Sequence, residues 1–304
     1  MTVSWQLIIL AIFAMRLPMI PIREIKPKSP ETPLRCIFLA DSHLIDERDA
    51  HYQDLLQFLF KIKGRDAERE RSRDARQCAL SGSGMIIDHI FILGDFFDFW
   101  FSRQGRIYPG FMPIVDRLIH LKKDGVMIHF CEGNHDFLMK PYFSRILGMN
   151  VYEDWAALNL GGRRTLIGHG DLVDQTNRRY LFLRKILRSR SFFFLQKMLP
   201  LSVLWALARK SSLASQELMG GAQDAIMARM VAFAEESFRE GYDVVILGHC
   251  HKPQLQEFAM AGETKTFVTL GDWIAHYTYL LYDDHGFHLL CYHEGEKRIK
   301  LDME

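Results

Sequence analysis

The chain has 304 residues, a net charge of +1, 48% apolar residues and 25% charged residues. These proportions are those of an ordinary globular protein, so they exclude intrinsic disorder and collagen-like structure. A net charge near zero also argues against a nucleic-acid-binding protein, because such proteins usually carry a strongly basic face or domain.

Residues 1–33 are predicted to be an N-terminal extension. The apolar run Leu7–Met15 is followed by several prolines, and it is shorter than the roughly 20 apolar residues that span a bilayer. No basic region precedes the run, as a signal peptide would require. We expect an unstructured or surface-packed extension, and an anchor at the membrane interface is the alternative.

The cysteines predict the compartment. They are five in number, widely spaced, and include no Cys-x-x-Cys pair. This pattern suggests neither a disulfide framework nor a zinc ribbon. A reducing compartment, the cytoplasm, is therefore expected.

Apolar runs of the kind found in buried parallel strands are each followed directly by a short polar motif. The runs are Arg35–Ala40, Ile86–Leu93, Val126–Cys131, Thr165–Ile167 and Val244–Leu247. The motifs that follow them are Asp41-Ser42-His43, Gly94-Asp95, Gly133-Asn134-His135-Asp136, Gly168-His169-Gly170-Asp171 and Gly248-His249-Cys250-His251. Ligands of open α/β sheets bind beyond the carboxyl ends of the strands, so we expect all of these motifs to meet at one edge of a sheet.

Helices are predicted between the strands, over residues 50–63, 108–122 and 224–239, where apolar residues recur near helical spacing. Alternating strands and helices indicate an α/β fold with right-handed crossovers. Residues 267–270, 277–282 and 287–292 are predicted strands separated by turn signals. They are expected to belong to a second sheet that closes a sandwich.

The polar motifs combine carboxylates, an amide and imidazoles, which suits two divalent metal ions such as Mn²⁺, Fe²⁺ or Zn²⁺, held roughly 3.5–4 Å apart. Asp41 and His43 lie two residues apart and can share one face of an extended segment. Asp95 is the natural bridging carboxylate. The remaining candidate ligands are Asn134, His169, His249 and His251.

His135 is left without a metal in this scheme. It is a candidate to protonate or stabilise the leaving oxygen of a hydrolytic reaction. Its neighbour Asp136 is predicted to hold the imidazole in one tautomer or to favour its charged form.

Taken together, the motifs resemble those of the calcineurin-like metallophosphoesterase superfamily, from about Arg35 to about His293. The resemblance implies a four-layer αββα sandwich over residues 34–298, with a helical cap inserted at about 176–225. It also implies two metal ions, with Mn²⁺ the first choice and Fe²⁺ or Zn²⁺ the alternatives. One ion would be held by Asp41, His43, Asp95 and His251, and the other by Asp95, Asn134, His169 and His249.

Within that superfamily the chain is most similar to the UDP-2,3-diacylglucosamine pyrophosphatases of lipid A synthesis. The similarity rests on residues 94–100 and 133–138, and on His169-Gly170-Asp171 followed by Tyr180 and Arg184. It implies hydrolysis of UDP-2,3-diacylglucosamine to UMP and 2,3-diacylglucosamine 1-phosphate. The positions that match the family's substrate-binding pattern are Asn177, Tyr180, Arg184 and Ser215.

The cap segment is both apolar and basic. Residues 192–207 are nearly continuously apolar and are split at Pro200, which predicts two short helices packed as a hairpin over the site. Residues 178–210 also contain many Lys and Arg and no Asp or Glu. A lipid with phosphate groups is the expected ligand. The alternatives are a hairpin that only buries its apolar face, and peripheral attachment to the inner membrane.

Two other function classes stay open at this point. A two-metal enzyme of this kind could act on another nucleotide diphosphate, a phosphoprotein or a cyclic nucleotide. A non-catalytic binding scaffold could keep the same fold, but such proteins usually lose ligands, and here every ligand type is present.

Overall fold

The computed structural model describes residues 20–66, 84–206 and 223–293. Ser215 and the apolar run of the N-terminal extension lie outside these residues. Within them, no helix combines the length and the apolar composition needed to cross a membrane.

One sheet carries the first polar motifs. Its strands are β2 (Cys36–Leu39), β5 (His89–Leu93), β6 (Met127–Cys131), β7 (Asn150–Tyr152), β13 (Thr278–Asp283) and β14 (Gly286–Cys291). Their order is β14-β13-β2-β5-β6-β7. The pairs from β2 to β7 are parallel, whereas β13 is antiparallel to both β2 and β14.

A second sheet carries the remaining motifs. Its strands are β1 (Ile22–Ile25), β8 (Trp155–Leu160), β9 (Arg163–Gly168), β10 (Val244–Leu247), β11 (Pro253–Met260) and β12 (Glu263–Leu270). Their order is β1-β8-β9-β10-β12-β11. A separate short pair is formed by β3 (Ile62–Lys63) and β4 (Met85–Ile86).

The helices lie outside the two sheets or in the cap. They are α1 (Ala50–Lys61), α2 (Met112–Lys123), α3 (Arg178–Leu187), α4 (Arg190–Met198) and α5 (Gln223–Arg239). A 3-10 turn (Pro109–Phe111) leads into α2, and one π turn (Lys140–Ser144) precedes β7. Residues 201–206 are also helical.

Three clusters of buried apolar residues pack between the layers. Residues of α1 and α2 pack on one face of the first sheet, and residues of α5 pack on the far face of the second sheet. The third cluster lies between the sheets and draws residues from β2, β5, β9, β10 and β12. This arrangement of helix, sheet, sheet and helix confirms the predicted αββα class.

Three details differ from the prediction. The predicted strands 277–282 and 287–292 correspond to β13 and β14 and lie in the first sheet, because β13 pairs with β2. Only 267–270, within β12, belongs to the second sheet, since turn signals separate strands but do not select their partners.

Residues 22–25 form an edge strand parallel to β8 within the predicted extension. Most of this strand is exposed, so it lacks the buried apolar run by which strands were recognised. The strands that carry the polar motifs also belong to both sheets and not to a single one, because buried parallel strands have the same sequence pattern in either sheet.

Candidate metal centre

The polar motifs meet where the two sheets face each other. Asp41, Asp95 and Asn134 follow β2, β5 and β6 of the first sheet, whereas His169 and His249 follow β9 and β10 of the second. The carboxyl ends of both sets of strands open onto the same edge of the sandwich. All of the predicted metal ligands are thereby brought together, although they are remote in sequence.

The first group of candidate ligands consists of Asp41, His43 and His251, whose donor atoms lie within 4.8 Å of one another. Asp41 Oδ1 is 3.6 Å from His251 Nε2. The rings of His43 and His251 stack with their centroids 5.2 Å apart. Asp41 Oδ2 accepts the backbone N–H of His249 at 2.8 Å, which leaves Oδ1 directed at the group.

The second group consists of Asp95, His169 and His249, again with donor atoms within 4.8 Å of one another. His169 donates its Nδ1–H to the carbonyl oxygen of Leu93 at 2.9 Å. Its Nε2 is 3.0 Å from Asn134 Oδ1, 3.2 Å from His249 Nδ1 and 3.4 Å from Asp95 Oδ2. In a neutral ring this nitrogen carries a lone pair, so several lone pairs converge on one point, as they do around a cation.

Asp95 joins the two groups. Its Oδ2 is 3.4 Å from His169 Nε2 and 3.8 Å from His43 Nε2. Its Oδ1 accepts the backbone N–H of His135 at 2.9 Å, which fixes the carboxylate. One carboxylate oxygen therefore lies close to histidines of both groups, and its role as a bridging ligand stays a prediction.

The backbone is strained at these positions. The left-handed region of φ is occupied by non-glycine residues that are candidate ligands, with φ between 43° and 68°: Asp41, His43, Asp95, His249 and His251. Such conformations cost about 1–3 kcal/mol each and cluster at functional sites. Gly94 permits the close packing, because a Cβ at this residue would lie 2.6 Å from the ring of His169.

Buried polar atoms without hydrogen-bond partners test whether a cation fits. Among the described residues they include Asp41 Oδ1 and both ring nitrogens of His43. Burial alone lowers the pKa of His169, but the carboxylate of Asp95 outweighs it and raises this pKa to about 10. The cluster thus attracts positive charge and leaves donor atoms unused, so its residues fit divalent cations.

The structure gives the ring of His135 a partner other than Asp136. His135 donates Nδ1–H to the carbonyl oxygen of Asp98 at 3.0 Å. The carboxylate of Asp136 instead accepts backbone N–H groups of Asp95, Phe96, Phe97 and Gly133. The predicted contact of Asp136 with the ring is therefore wrong, and the residue braces the backbone on which Asp95 lies. Burial lowers the pKa of His135, but the carboxylates around it, Asp95 first and Asp136 among them, raise this pKa, which agrees with the alternative that Asp136 favours the charged ring.

Asp98 is a residue that sequence reasoning missed. It is buried, neither of its carboxylate oxygens has a hydrogen-bond partner among the described residues, and Oδ1 is 3.4 Å from His43 Nδ1. A second carboxylate three residues after Asp95 was the available signal. It lies in the stretch 94–100 that carries the family resemblance, but no role was assigned to it.

A cavity of about 620 Å³ opens beside the candidate metal ligands. Asn134 and His135 line the cavity. Most of the other lining residues are apolar and belong to the main domain or to the cap, which we define as residues 178–206: Phe99, Phe101, Phe137, Leu183, Leu187, Phe192, Leu195, Leu199 and Leu204. The end of α4 and residues 201–206 flank Pro200, so the predicted break at this proline is confirmed.

The predicted substrate-binding residues take different places. Tyr180 and Arg184 line the cavity, but the Tyr180 hydroxyl and Arg184 Nε both donate to the Asp171 carboxylate. Asn177 caps α3 by accepting the N–H of Tyr180 at 3.1 Å. Their contact with a substrate stays a prediction.

Arg188 links the cap to the loop that contains Asn134. Its guanidinium donates to Glu132 Oε2 at 2.6 Å and to the carbonyl oxygen of Gly133 at 2.7 Å. Arg188 also lies over the ring of Phe137. Because Gly133 directly precedes Asn134, this contact fixes the cap relative to a candidate ligand.

Comparisons with known proteins agree with this geometry. A family model described as calcineurin-like phosphoesterase matches residues 34–253, more than half of the chain. A UDP-2,3-diacylglucosamine hydrolase of Aeromonas salmonicida (strain A449) is 29% identical over 265 residues, which cover 87% of this chain and 92% of the relative. The protein with the same name from Aeromonas hydrophila is 27% identical and covers 87% and 97%. The one from Nitrosococcus oceani is 32% identical over 202 residues and covers 66% and 80%.

Proposed function

The chain belongs to the calcineurin-like phosphoesterase family, and we propose that it hydrolyses the pyrophosphate bond of UDP-2,3-diacylglucosamine. The products are UMP and 2,3-diacylglucosamine 1-phosphate. The family implies divalent metal ions, and the ligand groups around Asp95 are suited to hold them. The names of the relatives support the choice of substrate.

The observation that carries the proposal is the position of the cavity. Asn134 belongs to the candidate ligand set and also lines a space whose walls are mainly apolar. A substrate with its diphosphate at the ligands can therefore place its acyl chains against the cap. Each buried CH₂ group contributes about 0.8 kcal/mol, so two acyl chains supply ample binding energy.

The residues would share the chemistry as follows. The first cation would be held by Asp41, His43, Asp95 and His251, and the second by Asp95, Asn134, His169 and His249. Bound cations supply Lewis acidity, which polarises the phosphoryl oxygens and neutralises charge that develops during hydrolysis. The mixture of oxygen donors with imidazoles suits Mn²⁺, Fe²⁺ and Zn²⁺, and Mn²⁺ is our first choice by the family resemblance.

His135 is the proposed proton donor to the leaving oxygen. Its Nδ1 is engaged by the carbonyl oxygen of Asp98, and its ring lines the cavity beside Asn134. The hydrogen bond thus fixes the ring at the cavity, where we propose that the substrate binds. Because Nδ1 keeps its own proton in the hydrogen bond to Asp98, Nε2 carries a proton only in the charged ring, and that proton would pass to the leaving oxygen. Burial lowers the pKa of His135, but the carboxylate of Asp95 outweighs it and raises this pKa, which favours the charged ring.

Metal removal tests the proposed reaction. The purified protein is expected to release UMP from UDP-2,3-diacylglucosamine with Mn²⁺, to lose activity to the background level with excess chelator, and to recover when Mn²⁺ is restored. The readout is UMP measured by chromatography. Unacylated UDP-N-acetylglucosamine is the matched substrate, and it should be hydrolysed about 10²-fold more slowly. Equal turnover of both substrates, or turnover in chelator, would contradict the proposal.

The cap also supports a peripheral contact with an anionic membrane. Phe182, Phe194 and Met198 expose 67%, 63% and 80% of their surface. Exposed basic residues accompany them on the same helices: Arg178, Arg179, Lys185 and Arg190. Apolar and basic side chains together favour the headgroup region of anionic lipids.

Vesicle binding measures this contact. We expect the protein to sediment with vesicles that contain phosphatidylglycerol and to remain in solution with pure phosphatidylcholine. Replacing Phe194 and Met198 together by serine should weaken binding about 10-fold or more. The same replacement of Met127 and Ile146, exposed apolar residues outside the cap, is the control and should have no effect. Equal binding by the two double variants would refute the cap surface as the contact.

A further inference from the structure

Asp272 lies behind one of the candidate ligands. It follows β12, beyond the residues that the family model matches, and its side chain is buried. Its Oδ2 is 3.5 Å from His251 Nδ1, while Nε2 of the same ring is 3.6 Å from Asp41 Oδ1. The imidazole therefore has one carboxylate at each nitrogen.

The carboxylate of Asp272 is itself held firmly. Its Oδ1 accepts the backbone N–H groups of Ile274, Ala275 and His276 at 3.0, 2.7 and 3.0 Å. The N–H of Trp273 donates to the carbonyl oxygen of Asp41 at 3.2 Å. One short loop thus braces two candidate ligands that lie far apart in the chain.

The two carboxylate oxygens of Asp272 have different partners. Oδ1 satisfies the loop backbone, so the loop conformation does not require Oδ2. Oδ2 faces His251 and the ring of His276, which is 3.0 Å away and half exposed. The conformation of the loop therefore does not explain why Oδ2 lies next to Nδ1 of His251.

We propose that Asp272 is a positioning residue that accepts the Nδ1–H of His251 and so keeps Nε2 free to bind a divalent cation. A carboxylate behind a ligating histidine fixes the tautomer and the orientation of the ring, and removing it typically costs 10–100-fold in metal affinity. The inference rests on the proposed function, because it requires His251 to be a metal ligand.

The effect should be confined to one of the two cations. In the second group, His169 is oriented by the carbonyl oxygen of Leu93 and not by Asp272. The loop of Asp272 contacts Asp41 and His251, which both belong to the first group. Replacing Asp272 is therefore expected to weaken the binding of the first cation and to leave the binding of the second unchanged.

The Asp272→Asn variant tests the tautomer directly. The amide oxygen can still accept the loop N–H groups, while the NH₂ group takes the place of Oδ2 and donates to Nδ1 of His251. Nε2 then carries the proton and cannot bind a metal. By equilibrium dialysis and metal analysis, the unaltered protein is expected to hold about two Mn²⁺ per chain. The variant should hold about one Mn²⁺ per chain at the same free Mn²⁺ concentration, because the affinity of the first site falls about 10–100-fold.

His276→Gln is the matched control, because it removes the other side chain at Oδ2 and leaves the pairing with His251 intact. This variant should bind Mn²⁺ like the unaltered protein. Circular dichroism and thermal unfolding of all three proteins report whether the fold is preserved.

The tautomer can also be read without a variant. Long-range ¹H–¹⁵N spectra of the metal-free protein at alkaline pH, with the His251 signal assigned through His251→Gln, should show the Nδ1–H form. Finding the Nε2–H form, or unchanged Mn²⁺ affinity in Asp272→Asn, would overturn the inference. An unaltered protein that binds no divalent metal would instead overturn the proposed function, so the two failures are distinguishable.

Discussion

Replacing Asp95 by asparagine is expected to lower hydrolysis of UDP-2,3-diacylglucosamine by about 10³-fold or more. Asp95 Oδ2 lies 3.4 Å from His169 Nε2 and 3.8 Å from His43 Nε2, so one carboxylate serves both ligand groups. An amide removes the negative charge that would offset two bound cations. The measurement is kcat at saturating Mn²⁺, together with the metal content of the purified variant.

The fold should survive this replacement. Asp95 Oδ1 accepts the N–H of His135, and the amide oxygen of asparagine can do the same. Asp116→Asn, at an exposed position of α2, is the matched control and should leave kcat within about twofold of the unaltered value. Turnover by Asp95→Asn at a rate close to that of the control would exclude a shared carboxylate as the basis of catalysis.

Replacing Phe192 by aspartate is expected to reduce kcat/KM for the diacylated substrate by about 10²-fold. Phe192 is half-buried in the cap wall of the cavity. The change removes apolar contact worth about 1.5–3 kcal/mol and puts a carboxylate where an acyl chain should lie. Helix α4 should persist, because the hydrogen bond at its N-terminus is donated by the backbone N–H of Phe192 to Ser189 Oγ, at 3.1 Å. The replacement leaves this backbone group in place.

Three comparisons separate loss of acyl binding from general damage. Hydrolysis of bis(4-nitrophenyl) phosphate, which has no acyl chain, should stay within about threefold in Phe192→Asp. Phe192→Leu, which keeps the wall apolar, should change kcat/KM for the diacylated substrate by a similarly small factor. Met127→Asp places the same charge at an exposed position outside the cap and should leave kcat/KM for the diacylated substrate within about twofold. A drop of equal size for both substrates would contradict the lipid assignment.

Much of the site could be predicted because its chemistry is local in sequence. Each ligand motif follows a buried strand directly, and Val244–Leu247 coincides with β10. Residues two apart, such as Asp41 and His43, also lie in one group of donor atoms. The types of ligand and their places at strand ends therefore required no knowledge of tertiary contacts.

The residues that orient the ligands could not be found in this way. Asp98 belongs to an aromatic stretch that looks like core, and Asp272 follows a strand that carries no ligand motif. Each residue gains a role only from a ring that comes from another part of the chain, His43 for Asp98 and His251 for Asp272. The ring partner of His135 was likewise misassigned to its neighbour in sequence.

The sequence by itself thus determined the donor atoms, the strands that end at them and the class of reaction that such donors support. Only the tertiary structure decided that two sheets share the site, that Asp98 and Asp272 lie beside the rings of His43 and His251, and that cap residues line a cavity next to the candidate ligands. The physical reason is that periodicity and turn chemistry act over a few residues, whereas the packing of one sheet on another depends on contacts between distant parts of the chain.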